Sequence, residues 1–239
     1  YMGDAHTDLA VSNGEKITGE DIKTDTGTDI LDKEAKKLGI ELVAIRSNFT
    51  DTVFSENTEA EFTRFYDKLR QTDTLPVSSQ PSPAEFLELF EDVKEKQEEV
   101  VVITISSKLS GTYNGAMLAK DMAEYDNIYV VDSLQASLSE RLLVEYAVKL
   151  RDAGMGAKEL VRKLEQDRER VILTGVPSTL LYLKMGGRIS PVVAAVGGVI
   201  GIKPVLWLKD GVIESRSKAR GMRMAKSGMQ SFLKDYEAD

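Results

Sequence analysis

The chain has 239 residues, 42% apolar and 29% charged, which suits a soluble globular protein of one or two domains and excludes a disordered one. Its 31 basic and 39 acidic side chains give a net charge of −8, which argues against nucleic acid as the main partner. With no cysteine and one histidine, His6, the chain has no material for disulfides, a thiolate nucleophile, sulfur-ligated zinc or a Ser-His-Asp triad, and it fits a cytoplasmic setting.

Residues 1–20 are polar and unpatterned, without the apolar run of a secretory signal, and read as an N-terminal appendage or tag-like segment. A strand is expected at Asp21–Thr24, weakened by Lys23, then the loop Asp25–Asp29 and a helix that Gly39 ends after Leu38. Glu41–Ile45 reads as a second strand. Glu59–Leu69 reads as an amphipathic helix with Phe62, Phe65, Tyr66 and Leu69 on one face. Ser82, Pro83 and Glu85 form the signature of a capped helix start, and that helix runs to about Lys96. Val100–Ile105 is a β-branched run of the kind buried on both faces of a parallel sheet. The loop Ser106–Gly111 leads into a helix ending near Tyr125. A short strand, Ile128–Val131, precedes a helix from about Ser137 to Ala153.

Gly154-Met155-Gly156 marks a domain boundary. A helix (Ala157–Arg168), a strand (Val171–Gly175) and a short helix (Ser178–Leu183) follow. Lys209-Asp210-Gly211 between Pro204–Leu208 and Val212–Ser217 signals a hairpin, and a last helix begins near Arg220. The apolar stretch Pro191–Leu208 holds two prolines and three glycines and reads as core rather than a membrane span. The expected fold is α/β: a parallel-sheet, Rossmann-like domain over residues 21–155, and a second α+β domain with an antiparallel component over 156–239.

Three hydroxyl-rich loops, Thr24–Asp29, Ser78–Ser82 and Ser106–Thr112, stand at or near helix starts. Helix N-termini offer unpaired N–H groups and partial positive charge, and parallel sheets bind ligands at the carboxyl ends of their strands. Ser78, Ser79, Ser107, Ser110 and Gly111 are therefore candidates to hold a carboxylate or phosphate. Each loop alone reads more readily as a capped turn. No Gly-x-x-x-x-Gly-Lys-Ser/Thr or Gly-x-Gly-x-x-Gly signature is present, which disfavours a kinase or dinucleotide enzyme. Asp25 and Asp29 invite a metal or acid–base role but more often cap turns. Arg188, on the Gly186-Gly187 turn, offers a guanidinium for an anion or a partner protein. One alternative is an enzyme acting on a small phosphorylated or carboxylated metabolite with Asp25 or Asp132 as base. Another is a structural module.

In order and spacing, six stretches resemble the DegV family of bacterial fatty-acid-binding proteins. They are Thr24–Asp29, Leu75–Pro83, Ile105–Tyr113, Val130–Ser133, Leu181–Ser190 and Gly201–Leu206. The resemblance implies a two-domain α/β protein that buries one long-chain fatty acid between its domains. It implies no catalysis, no metal and no other cofactor. The partner it implies is a separate fatty acid kinase, which phosphorylates the presented carboxylate for phospholipid synthesis. It assigns the carboxylate to Ser78 and Ser110, and places Arg188 near the mouth, tied to kinase engagement. Residues 191–202 would help line the tunnel. Serine at 78 stands where the family usually has threonine, and Lys23 stands where an apolar residue is usual. The family continues past the position of Asp239 in a Gly-rich tail with a histidine near the carboxylate. Without a counterpart here, the second domain reads as C-terminally shortened.

Overall fold

The computed structural model describes residues 22–72, 74–189, 192 and 201–236. The appendage, His6 and most of the apolar stretch 191–200 lie outside the described residues.

The centre of the first half is a four-stranded parallel sheet in the order β2-β1-β6-β7, built from β1 (Ile22–Asp25), β2 (Glu41–Val43), β6 (Val100–Thr104) and β7 (Ile128–Asp132). All five residues of β6 are buried, as its β-branched run predicts. The period of two divides them. Val101 and Ile103 join Ile22, Val131, Leu143, Val144 and Ala147 on one face, while Val100 and Val102 join Phe86, Phe90, Ala116 and Ala119 on the other. Helices α1 (Asp32–Leu38), α5 (Leu138–Asp152) and α6 (Ala157–Asp167) cover the first face. Helices α3 (Pro83–Glu95) and α4 (Thr112–Ala123) cover the second. Alanines and Gly115 make α4 flat, which leaves room for the stacked rings of Phe86 and Phe90, 6.0 Å apart. Helix α6, assigned from sequence to the second half, packs its buried Ala157, Leu160 and Leu164 into this first core.

Lys23 lies in the middle of β1, buried, where its ammonium pairs with Glu41, its register partner on β2. The strand tolerates a lysine because the charge is matched on the neighbouring edge strand. A second, small antiparallel sheet runs in the order β4-β3-β5, from β3 (Arg46–Asn48), β4 (Val53–Phe54) and β5 (Val77–Ser79). It stands beside α2 (Glu59–Gln71), with Phe49, Phe54 and Phe65 packed edge to face. The sequence did not signal these strands.

The second half holds an antiparallel sheet in the order β10-β9-β8, from β8 (Leu173–Gly175), β9 (Ile202–Lys209) and β10 (Val212–Arg220). Asp210 and Gly211 form a two-residue turn with φ of 49° and 82°, the left-handed geometry that a tight hairpin demands. Short α7 (Leu181–Met185) follows β8, and α8 (Met222–Tyr236) packs Phe232 on Trp207 with ring centres 5.5 Å apart. The fold is the mixed α/β arrangement expected. Among the described residues no helix is long and apolar enough to cross a membrane.

Candidate functional site

The loop after β6 is fixed from three directions. Asp25, at the end of β1, caps its own turn by accepting from Gly27 N, and its second oxygen accepts from Ile105 N, both at 2.8 Å. Asp132, at the end of β7, accepts from Ser107 N and Leu134 N at 3.1 Å. Ser106, fully buried, donates its hydroxyl to Gly211 O of the hairpin turn at 2.7 Å and accepts from Lys108 N at 3.2 Å. Two carboxylates at neighbouring strand ends and one buried serine thus set the path of Ser106–Gly111. Both oxygens of Asp25 are occupied by backbone N–H groups, which weighs against it as a catalytic base, while Asp132 uses Oδ1 for both of its donors.

Helix α4 starts where this loop ends. Ser110 Oγ lies 2.9 Å from Thr112 Oγ1 and accepts from Thr112 N at 3.4 Å, so it contributes to the helix start. The same loop walls a cleft of about 540 Å³ lined by Ser107, Lys108, Leu109, Ser110 and Gly111, by the turn Gly186-Gly187-Arg188, and by Val212 and Ile213. Four of the sequence candidates, Ser107, Ser110, Gly111 and Arg188, therefore share one cleft between the two halves. Arg188 is exposed and donates from Nε to Leu109 O at 3.0 Å, holding the Gly-Gly turn against the serine loop.

Ser78 and Ser79 are not among the residues lining that cleft. Both are exposed on β5, where Ser78 pairs with Ser47 and Ser79 Oγ accepts from Asn48 Nδ2 at 2.9 Å. The next residue connects them to the site: a Cβ on Gly111 would lie 2.1 Å from Gln80 Oε1, so the end of β5 rests on the Ser110-Gly111 turn. Ser82 is the helix cap expected, accepting from Glu85 N at 3.3 Å. Glu85 answers by accepting from Ser82 N and pairing with Arg46, and the Arg46 guanidinium holds its carboxyl down at about 2.

Beneath the loops lie two buried acids. Burial pushes Asp25 up to about 7 against the pull of its two N–H donors. Glu140, in the first turn of α5, is fully buried and its oxygens have no hydrogen-bond partner. Burial and the charges of Asp25, Asp29 and Asp132 hold it well above the ordinary glutamate range. Among the described residues no group of three or more acidic, histidine or cysteine side chains could hold a metal ion. Ser106, the Leu109 carbonyl and the start of β10 escaped the sequence reading. Ser106 sat inside a recognised loop, but only the distant hairpin turn singles it out from its neighbours.

A parallel sheet with a hydroxyl-lined cleft at its carboxyl end, together with an antiparallel sheet in the second half, defines a mixed α/β protein of the kind whose ligands sit at strand ends. A family profile described as an uncharacterised protein of the DegV family matches residues 21–239, and the chain belongs to that family. A DegV domain-containing protein of Caldanaerobacter subterraneus is 32% identical over 225 residues, covering 94% of this chain and 79% of the relative. The solved structure of a stearic acid-binding protein from Eubacterium ventriosum matches with a TM-score of 0.82 at 28% identity, over 91% of this chain and 76% of that one. The Streptococcus pneumoniae fatty acid kinase B3 protein loaded with linoleic acid matches with a TM-score of 0.74 at 27% identity, over 90% and 78%.

Proposed function

We propose that this chain is a cytoplasmic, non-catalytic carrier that holds one long-chain fatty acid between its halves and presents the carboxylate to a separate fatty acid kinase. The observation that carries this reading is the cleft in which Ser107, Ser110, Gly111 and Arg188 converge where α4 begins. Hydroxyls and first-turn N–H groups suit an acidic head, and a full ion pair is not needed. Burying about 15 methylenes at ~0.8 kcal/mol each supplies on the order of 12 kcal/mol before binding costs. The acyl-loaded relatives support the ligand class, and the relative named for a fatty acid kinase supports the partner.

Native mass spectrometry of the purified chain tests the ligand. A mass increment equal to one fatty acid, exchangeable for palmitate or oleate, is expected, and a chain that neither carries nor takes up an acyl group refutes the proposal. Ser107→Ala combined with Ser110→Ala should weaken oleate binding at least tenfold by titration, and adding Ser78→Ala tests whether that exposed hydroxyl on β5 takes any part. Arg188→Ala should slow kinase-dependent acyl phosphate formation more than it weakens binding. A normal rate at limiting carrier would remove Arg188 from that step.

A further inference from the structure

Two carboxyl groups come together beneath the serine loop. Asp25, at the end of β1, is 1% exposed, and Glu140, in the first turn of α5, is fully buried. A Cβ on Gly27 would lie 2.6 Å from Asp25 Oδ1 and 3.2 Å from Glu140 Oε2, so the two oxygens flank one point. They are unequally served. Asp25 accepts one backbone N–H on each oxygen, from Gly27 on Oδ1 and from Ile105 on Oδ2. Both oxygens of Glu140 are buried and accept from no donor.

Among the described residues the charges that bear on Glu140 are all acidic: Asp25 on β1, Asp29 in the turn after it, and Asp132 on β7. The basic side chains nearby in sequence are engaged elsewhere. Lys23 on β1 pairs with Glu41 on β2, and Arg141 on α5 pairs with Glu34 of α1 and with Glu145. Arg168, after α6, gives Nη1 to Asp132 O, and Lys108 is exposed on the serine loop. Two uncompensated carboxylates at this depth cannot both stay ionised, so the pair holds a proton. The proton belongs on Glu140, because two N–H donors favour the anion of Asp25 and none favours that of Glu140. Ile105 N is the link to the cleft, since Ile105 is the residue before the loop Ser106–Gly111. An ionised acceptor holds an N–H roughly twice as strongly as a neutral one. The grip on the root of that loop therefore follows the charge of Asp25, which burial pushes up to titrate at about 7.

We infer that Asp25 and Glu140 form a proton-sensitive latch under the serine loop. Glu140 keeps its proton and offers it to Asp25 Oδ1, which helps Asp25 to stay anionic and to hold Ile105 N. A further proton, taken up by Asp25, loosens the loop from below. The latch is closed above neutral pH and relaxes as pH falls.

Backbone amide resonances of the labelled full chain read the latch across pH. In the wild type, Gly27 and Ile105 should titrate together with one midpoint close to neutrality, and the amides of Ser107 and Ser110 should follow it. Glu140→Leu suits the apolar surroundings and removes the proton donor, so the acid dissociation constant reported by Ile105 should fall at least tenfold. Glu140→Gln keeps a donor and should stay near the wild-type midpoint. An Ile105 amide that does not titrate, separate midpoints for Gly27 and Ile105, or unmoved Ser107 and Ser110 amides each overturns the inference. So does a Glu140→Leu midpoint no higher than the wild type's, or a Glu140→Gln midpoint as high as that of Glu140→Leu. No ligand is added, so the outcome does not depend on what the cleft carries.

Discussion

Glu140 shows what one buried side chain can impose. An acid kept above its ordinary range binds a proton in the native state that the unfolded chain has already lost. Its contribution to stability is therefore fully present below the unfolded glutamate range and is lost as pH rises through the native value. Asp25 follows the same course, its loss running from the ordinary aspartate range up to about 7. Glu140→Gln keeps the shape and cannot ionise. Its melting temperature should exceed the wild type's by a few degrees at pH 8 and differ little at pH 4, on the order of 2–4 °C per kcal/mol for a chain of this size. Thermal scans across pH check this, and an equal difference at both ends would show that ionisation is not the cause. The sequence marks Asp25 as a turn residue. It gives no sign that Glu140 is buried, since a glutamate in the first turn of a helix is normally an exposed N-terminal charge.

Elements written in local chemistry could be read directly. Ser82, Pro83 and Glu85 announce α3, and the structure contains the reciprocal capping box. Ser82→Ala should cost about 1 kcal/mol in urea unfolding, because Glu85 N loses its acceptor and Glu85 a hydroxyl donor. A change near zero would mean that the Arg46–Glu85 pair alone holds the helix start. The strands β3, β4 and β5 were illegible for the opposite reason. They are two or three residues long, and Arg46-Ser47-Asn48 and Val77-Ser78-Ser79 bury too little to show a pattern. β5 finds its partner, β3, some thirty residues back along the chain. The site divides in the same way. The Ser106–Gly111 loop and the Gly-Gly-Arg turn were visible as motifs, and the resemblance brought them to one site, but that Ser78 and Ser79 stand outside the cleft was not legible.

At the scale of the molecule, two bonds among the described residues join the serine loop to the second half: Ser106 Oγ to Gly211 O and Arg188 Nε to Leu109 O. Gly211 has φ of 82°, and a Cβ there would lie 2.5 Å from Ser106 Oγ and 3.1 Å from Leu134 Cδ2. Gly211→Ala should therefore lose about 1–3 kcal/mol and free the Ser106 hydroxyl from the hairpin. Hydrogen exchange at the Lys108 amide, which donates to that hydroxyl, should speed up. Unchanged protection there would show that the loop holds its path without the hairpin.

Gly111 has the opposite character. The atoms nearest to where its methyl would go belong to the exposed amide of Gln80, and a flexible side chain of that kind can swing aside. Replacement at this position would reshape the rim of the cleft while sparing the architecture. A side chain could therefore enter the lip of this recess with little thermodynamic penalty, a freedom that the rigid turn at Gly211 denies.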